Sequence, residues 1–97
     1  LSAALPQFKF RLYVAGDAGN SLAAISNLRA ICDRYLPARH QVELIDVLCA
    51  PKRALADGVF MTPMLVKLTP PPVRRVVGSL SQTATVLQVL DLPAVAA

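Results

Sequence analysis

The sequence has no tryptophan, one histidine and two cysteines, and six acidic residues stand against ten lysines and arginines. Each scarcity closes off a chemistry. Cys32 and Cys49 lie too far apart for a redox CxxC pair, and their spacing is not a zinc pattern. His40 could serve a Ser-His-Asp or Cys-His relay only if a nucleophile were brought to it, and nothing in the spacing brings one. The carboxylates Asp17, Asp33, Glu43, Asp46, Asp57 and Asp91 are scattered, with no acid–base pair and no metal-ligand cluster. Gly16 and Gly19 lack the rest of a phosphate-binding loop. Charges or prolines interrupt every apolar run before the roughly 18 residues needed to cross a bilayer. Residues 1–7 carry neither a basic n-region nor a long apolar h-region. The expectation is a cytoplasmic protein without membrane attachment, enzymatic activity or cofactor, with residues 1–7 as a leader arm.

What is present is a hydrophobic fraction of 55% with 16% charged residues. Over 97 residues that composition suits one domain, residues 1–97, with a well-filled core and a tendency to self-associate. Cys32 reads as a buried small hydrophobe on a helix face. The formal charge of +4 admits an acidic partner surface.

Along the chain, Phe8, Phe10, Leu12 and Val14 alternate with Lys9, Arg11 and Tyr13, the pattern of a half-buried strand. Gly16 to Asn20 form a turn, and Asn20 or Ser21 can cap a helix whose stripe is Leu22, Ile25, Leu28, Cys32, Tyr35 and Leu36. Pro37 ends it, and His40 falls in the following loop. Residues 41–47 read as a second strand, whose two-sided apolar character points to an inner position. Strand, helix and strand make a right-handed βαβ unit. Pro51 opens a short helix through Ala56, and Gly58 closes it.

Four of the eight prolines fall within residues 61–78. Each X-Pro bond prefers trans by only about 0.5–1 kcal/mol, so such a segment can hold two slowly exchanging geometries. The strands 64–68 and 74–77 flank Pro70, Pro71 and Pro72, and so short a join makes them antiparallel neighbours. Gly78 allows a turn, Ser81 caps a last helix over residues 82–90 burying Thr83, Val86, Leu87 and Leu90, and residues 93–97 fray.

The resulting α/β order, βαβαββα, resembles the thioredoxin fold, in which Thr62-Pro63 would supply the proline facing the first helix. A thioredoxin-type enzyme needs a thiol at that helix N-terminus, where the macrodipole lowers its pKa. Here the turn holds Asp17, Ala18, Gly19, Asn20 and Ser21, so dithiol chemistry has no nucleophile. Nucleic-acid binding is not expected, because Phe8 and Phe10 belong to the core face rather than to a stacking surface. The best surface feature is Lys67, Arg74 and Arg75, which the hairpin brings onto neighbouring strands as a basic docking patch for an acidic protein.

Further residues carry a more specific likeness. Leu12-Tyr13-Val14-Ala15-Gly16, Asn20-Ser21, Ile45-Asp46-Val47 followed by Pro51, Thr62-Pro63, Lys67, Pro70-Pro71-Pro72-Val73-Arg74-Arg75, Gly78, Leu80-Ser81, and Val86-Leu87 through Leu90-Asp91-Leu92 resemble the KaiB family of circadian clock proteins. The match runs without gaps from about Phe8 to Leu92. The resemblance implies a non-enzymatic regulator that binds the N-terminal ring of the hexameric ATPase KaiC, then sequesters KaiA or competes with a sensor histidine kinase. It also implies metamorphism between a tetrameric ground-state fold, βαββααβ, and a monomeric thioredoxin-like fold. Pro63, Pro70, Pro71, Pro72, Gly78, Val89 and Asp91 then mark the rearranging half.

Departures from the family pattern matter. Val89 stands where the family usually has glycine, Ala94 where it has an aromatic residue, and Pro93 lies between. A β-branched residue suits a helix at 89 better than a positive φ, which favours the thioredoxin-like arrangement. Ala23 or Ala24, Glu43 and Gly58 replace common basic residues, while Lys67, Arg74 and Arg75 remain. This implies a divergent KaiC with altered charges, a detached kinase sensor domain, or a homologue turned to stress signalling.

Overall fold

The computed structural model describes residues 7–92; the expectations for residues 1–6 and 93–97, the leader arm and frayed end, lie outside the described residues. The elements run β1 (Phe8–Val14), α1 (Gly19–Tyr35), β2 (His40–Asp46), α2 (Pro51–Ala56), β3 (Met64–Thr69), β4 (Arg74–Val77) and α3 (Thr83–Val89). One sheet in the order β2-β1-β3-β4 holds all four strands. β1 pairs parallel with β2 and antiparallel with β3, and β3 pairs antiparallel with β4. This is the βαβαββα arrangement, not the βαββααβ alternative.

β1 is an inner strand between β2 and β3, buried along one face and, on the other, exposed at Lys9, half-buried at Arg11 and buried at Tyr13. Phe8, Phe10, Leu12 and Val14 join the cluster under α1 and α3, while Tyr13 is buried in a second cluster with Ile45, Ala54, Val59, Met64 and Val66 under α2. β2, expected inside, is instead an edge strand. Antiparallel β3 occupies the far side of β1, so the crossover through α1 leaves β2 with one neighbour, and Val42 and Leu44 stay 43% and 53% exposed. His40 opens β2 rather than lying in a loop, its Nδ1 2.8 Å from the Leu36 carbonyl oxygen.

The buried stripe of α1 is Ser21, Ala24, Leu28, Ile31 and Cys32, at spacings of three and four, while Leu22 faces solvent. Small residues at 21 and 24 let the helix start close to the sheet. The expected caps, Asn20 and Ser21, are already helical; Ala18 is the N-cap and has no side-chain bond. The Ser21 hydroxyl instead accepts the Ala15 N–H at 3.1 Å, tying the helix to the end of β1. Pro51 does open α2, and Gly58 follows it at φ +74.

α3 begins at Thr83, with Gln82 as N-cap; Ser81 makes no cap bond and Thr83 is exposed, so Val86 and Leu90 carry the buried side. Its end is a Schellman motif. The Leu92 N–H reaches the Leu87 carbonyl at 2.9 Å, the Asp91 N–H reaches that of Gln88 at 3.2 Å, and Asp91 takes the left-handed conformation at φ 58. Val89 is helical, a conformation its branched side chain accepts where a positive φ would strain it. The Thr62–Pro63, Thr69–Pro70 and Pro71–Pro72 peptide bonds are cis.

Candidate functional site

At the turn before α1, where a thioredoxin-type nucleophile would sit, there is no thiol. Cys32 lies in the buried middle of α1, and burial, with the Asp33 charge adding, pushes its pKa up to about 12. Cys49 is exposed in the turn after β2. Asp46 organises this end of the sheet. Its Oδ1 accepts the Gly16 N–H at 3.1 Å and the Leu48 N–H at 2.9 Å, joining the loops that follow β1 and β2.

The hairpin register pairs Lys67 with Arg74 and Val66 with Arg75. Paired residues share a face and successive residues alternate, so Lys67 and Arg74 belong to the α1/α3 face and Arg75 to the α2 face. The three cations meet on adjacent strands but do not form one patch. Arg74 and Arg75 are exposed, whereas Lys67, expected at the surface, is only 1% exposed. Burial lowers the Lys67 pKa, with the Asp91 charge opposing that shift and Arg74 adding to it. The Arg75 guanidinium donates to the Asp57 carbonyl at 3.4 Å, linking β4 to the end of α2.

The remaining residues marked for rearrangement lie at the joints of this hairpin and of α3. The Pro63 carbonyl accepts the Gly78 N–H at 2.9 Å, closing the base of the β3–β4 hairpin, and Gly78 takes φ 118. Pro70, Pro71 and Pro72 form its tip, and Val89 and Asp91 close α3.

A polar cluster on the α2 face escaped sequence reasoning, which took the carboxylates as scattered. Arg11 Nε lies 2.9 Å from Glu43, Arg53 lies 3.0 Å from the same carboxylate, and Arg11 and Arg53 approach Asp57 at 3.6 and 3.8 Å. The Tyr13 hydroxyl donates to Asp57. Hydrogen bonds from Arg53 and then Arg11 hold the Glu43 carboxyl below its usual range, and burial first, then the bond to Asp57, pushes the Tyr13 phenol up. The signal was present in part: Arg11 and Tyr13 share a face of β1, and Arg53 and Asp57 are four apart. The parallel register of Arg11 with Glu43 was the missing step.

Exposed apolar side chains include Leu48, Leu55, Phe60 and Met61, between 61% and 83% exposed. Among the described residues no group of three or more His, Cys, Asp and Glu could hold a metal ion, and no helix is long and apolar enough to cross a membrane. The geometry offers charged and apolar side chains at the surface of the sheet and its loops, the kinds of group that protein interfaces use.

Comparison with known proteins agrees with the geometry. The circadian clock protein KaiB3 of Synechocystis sp. is 43% identical over 82 residues, covering 84% of this chain and 80% of that protein. The clock oscillator protein KaiB of Prochlorococcus marinus strain MIT 9312 is 42% identical over 90 residues, covering 93% and 86%. Among solved structures, the N-terminal domain of Synechococcus elongatus SasA superposes with a TM-score of 0.70 at 17% identity, covering 91% of this chain and 84% of that one. Mitochondrial thioredoxin 3 of Saccharomyces cerevisiae gives 0.70 at 18% identity, covering 90% and 80%. These two share the fold alone. The family model of the KaiB domain matches residues 11–92, and this chain belongs to the KaiB family of circadian clock proteins.

Proposed function

We propose that the chain is a clock regulator that works by docking rather than by catalysis, binding the N-terminal ring of a KaiC-type hexameric ATPase through the end of the sheet that carries Arg74 and Arg75. The observation that carries this reading is the pairing of a KaiB sequence with the thioredoxin-like arrangement, the form that the family likeness assigns to ATPase binding. Arg74 and Arg75, exposed on edge strand β4, steer the encounter with an acidic surface, and Lys67 supports the hairpin from beneath. In the bound state the chain sequesters KaiA or displaces a kinase sensor domain of the same fold.

Metamorphism is part of the proposal. In the second state, a dimer or tetramer of βαββααβ order, the half containing Pro63, Pro70, Pro71, Pro72, Gly78, Val89 and Asp91 repacks while β1, α1 and β2 persist. The exposed apolar residues Phe60, Met61, Val73 and Val77 in this half supply surface for self-association. A second reading, a sensory domain of a clock histidine kinase, is favoured by the fold shared with the SasA domain.

The test is co-elution with the cognate hexameric ATPase in ATP, followed by light scattering. The wild-type chain is expected to join the hexamer, and the double variant R74E/R75E to lose roughly 10- to 100-fold in affinity, mainly in association rate. Added KaiA should enter the complex and an added kinase sensor domain should leave it. Failure of the wild-type chain to bind any hexamer offered would overturn the proposal.

A further inference from the structure

The two ends of the sheet are unlike. β4, with its arginines, lies at one edge; at the other, β2 and α1 leave a groove of about 440 Å³ between them. The parallel register sets His40, Val42 and Leu44 opposite Phe8, Phe10 and Leu12, hence on the α1 face. The core cluster under α1 draws on β1 and β3 but on no residue of β2. The floor is therefore buried Leu12, Leu28 and Cys32, and the walls are Ile25 on the helix and half-exposed Val42 and Leu44 on the strand.

Six apolar side chains thus line an open groove whose volume falls within the range of small-molecule sites, about 300–1,000 Å³. Its polar groups are Arg29 and His40, and no acidic residue lines it. Arg29 makes no ion pair among the described residues. His40 commits Nδ1 to the Leu36 carbonyl, which leaves Nε2 as its remaining ring nitrogen. An apolar trough with one uncommitted guanidinium at its rim matches a particular chemistry, because the planar fork of arginine pairs with a carboxylate through two parallel hydrogen bonds.

We propose that this groove binds a small amphipathic carboxylate, with a medium-length apolar body against Leu12, Leu28 and Val42 and its carboxylate at Arg29. The site is independent of the ATPase-docking proposal, lying at the opposite edge of the sheet.

Octanoate is the probe, titrated into the methyl-labelled full chain and followed by NMR. Saturable shifts are expected at the methyls of Ile25, Leu28, Val42 and Leu44. Octan-1-ol, the same chain without the charge, should bind up to about fivefold more weakly. The variant R29Q, at an exposed helix position, should bring octanoate down to the affinity of octanol and leave octanol unchanged. V42W, at a half-exposed edge position, should fill the groove and abolish both. Equal affinity for octanoate and octanol, no saturable shift, or an R29Q variant that binds octanoate as well as wild type would each overturn the proposal. So would movement of the same methyls with protein concentration alone, which would mean that a second copy fills the groove.

Discussion

The β1–α1–β2 unit and the β3–β4–α3 unit share one sheet but are anchored by different means. Nine of the fourteen residues in the larger core cluster come from the first unit, a continuous set from Phe8 through Leu36, and β3 adds only Leu65. Beyond β3, the second unit holds to the sheet through the β3–β4 pairing, buried Leu80, Val86, Leu90 and Leu92, and partly buried Val76 and Leu87. Three of the four β4 residues are exposed. The second unit also buries a lysine and places two L-residues, Leu80 and Asp91, at positive φ of 64 and 58, where the first unit has one, Ala38 at φ 59. Each such residue costs on the order of 1 kcal/mol relative to ordinary backbone. A domain built this way has one half with a single good packing and one half whose margin is thin, which is the physical condition for a local alternative.

The comparison breaks most visibly in the core. Phe10→Ala should cost about 3–5 kcal/mol in urea unfolding, because a buried ring leaves a cavity at the centre of the sheet. Val86→Ala should cost less, about 1–2 kcal/mol, with the loss concentrated in α3 rather than spread over β1 and α1. If Val86→Ala proves as damaging as Phe10→Ala, the halves are not unequal.

Lys67 sharpens the contrast at the next level. Replacing it with methionine removes a buried charge at similar volume and should raise stability at pH 7 by about 1 kcal/mol. The pH dependence has a definite sign. Burial holds the folded-state pKa of Lys67 below its ordinary 10.5. Between the two values the unfolded chain binds the extra proton, so wild-type stability rises with pH across that window. In Lys67→Met that part of the rise should vanish, which urea midpoints at pH 7 and pH 10 would reveal. The smallest expected effect is Val89→Gly, costing α3 about 0.5 kcal/mol through helix propensity. Even so small a loss should increase the oligomeric fraction on size exclusion if the alternative fold lies close in energy.

Much of the first unit was legible because its signals are local. Alternation through residues 8–14 and the α1 stripe required no knowledge of partners, although Leu22 was assigned to the wrong side and Ser21 and Ala24, small and polar or weakly apolar, were overlooked. The edge position of β2 was not legible: an apolar run records what a strand could bury, and the sheet order depends on where β3 inserts. The same holds for the functional surface. The pairing of Lys67 with Arg74 followed from the short hairpin, but the burial of Lys67 depends on what packs over that face of the sheet, which a hairpin pattern does not reveal. The Arg11–Glu43–Arg53–Asp57 cluster joins β1, β2 and α2, and only the register brings its members together.

Native-state hydrogen exchange on the free chain measures the inequality of the halves directly. Amides of β1, the centre of α1 and the β1–β3 ladder should exchange only through global unfolding, while those of β4 and α3 should open at free energies at least about 2 kcal/mol lower, as one group. Uniform protection, with the α3 amides exchanging only as the whole domain unfolds, would contradict the view that the part of the second unit beyond β3 is poised to repack.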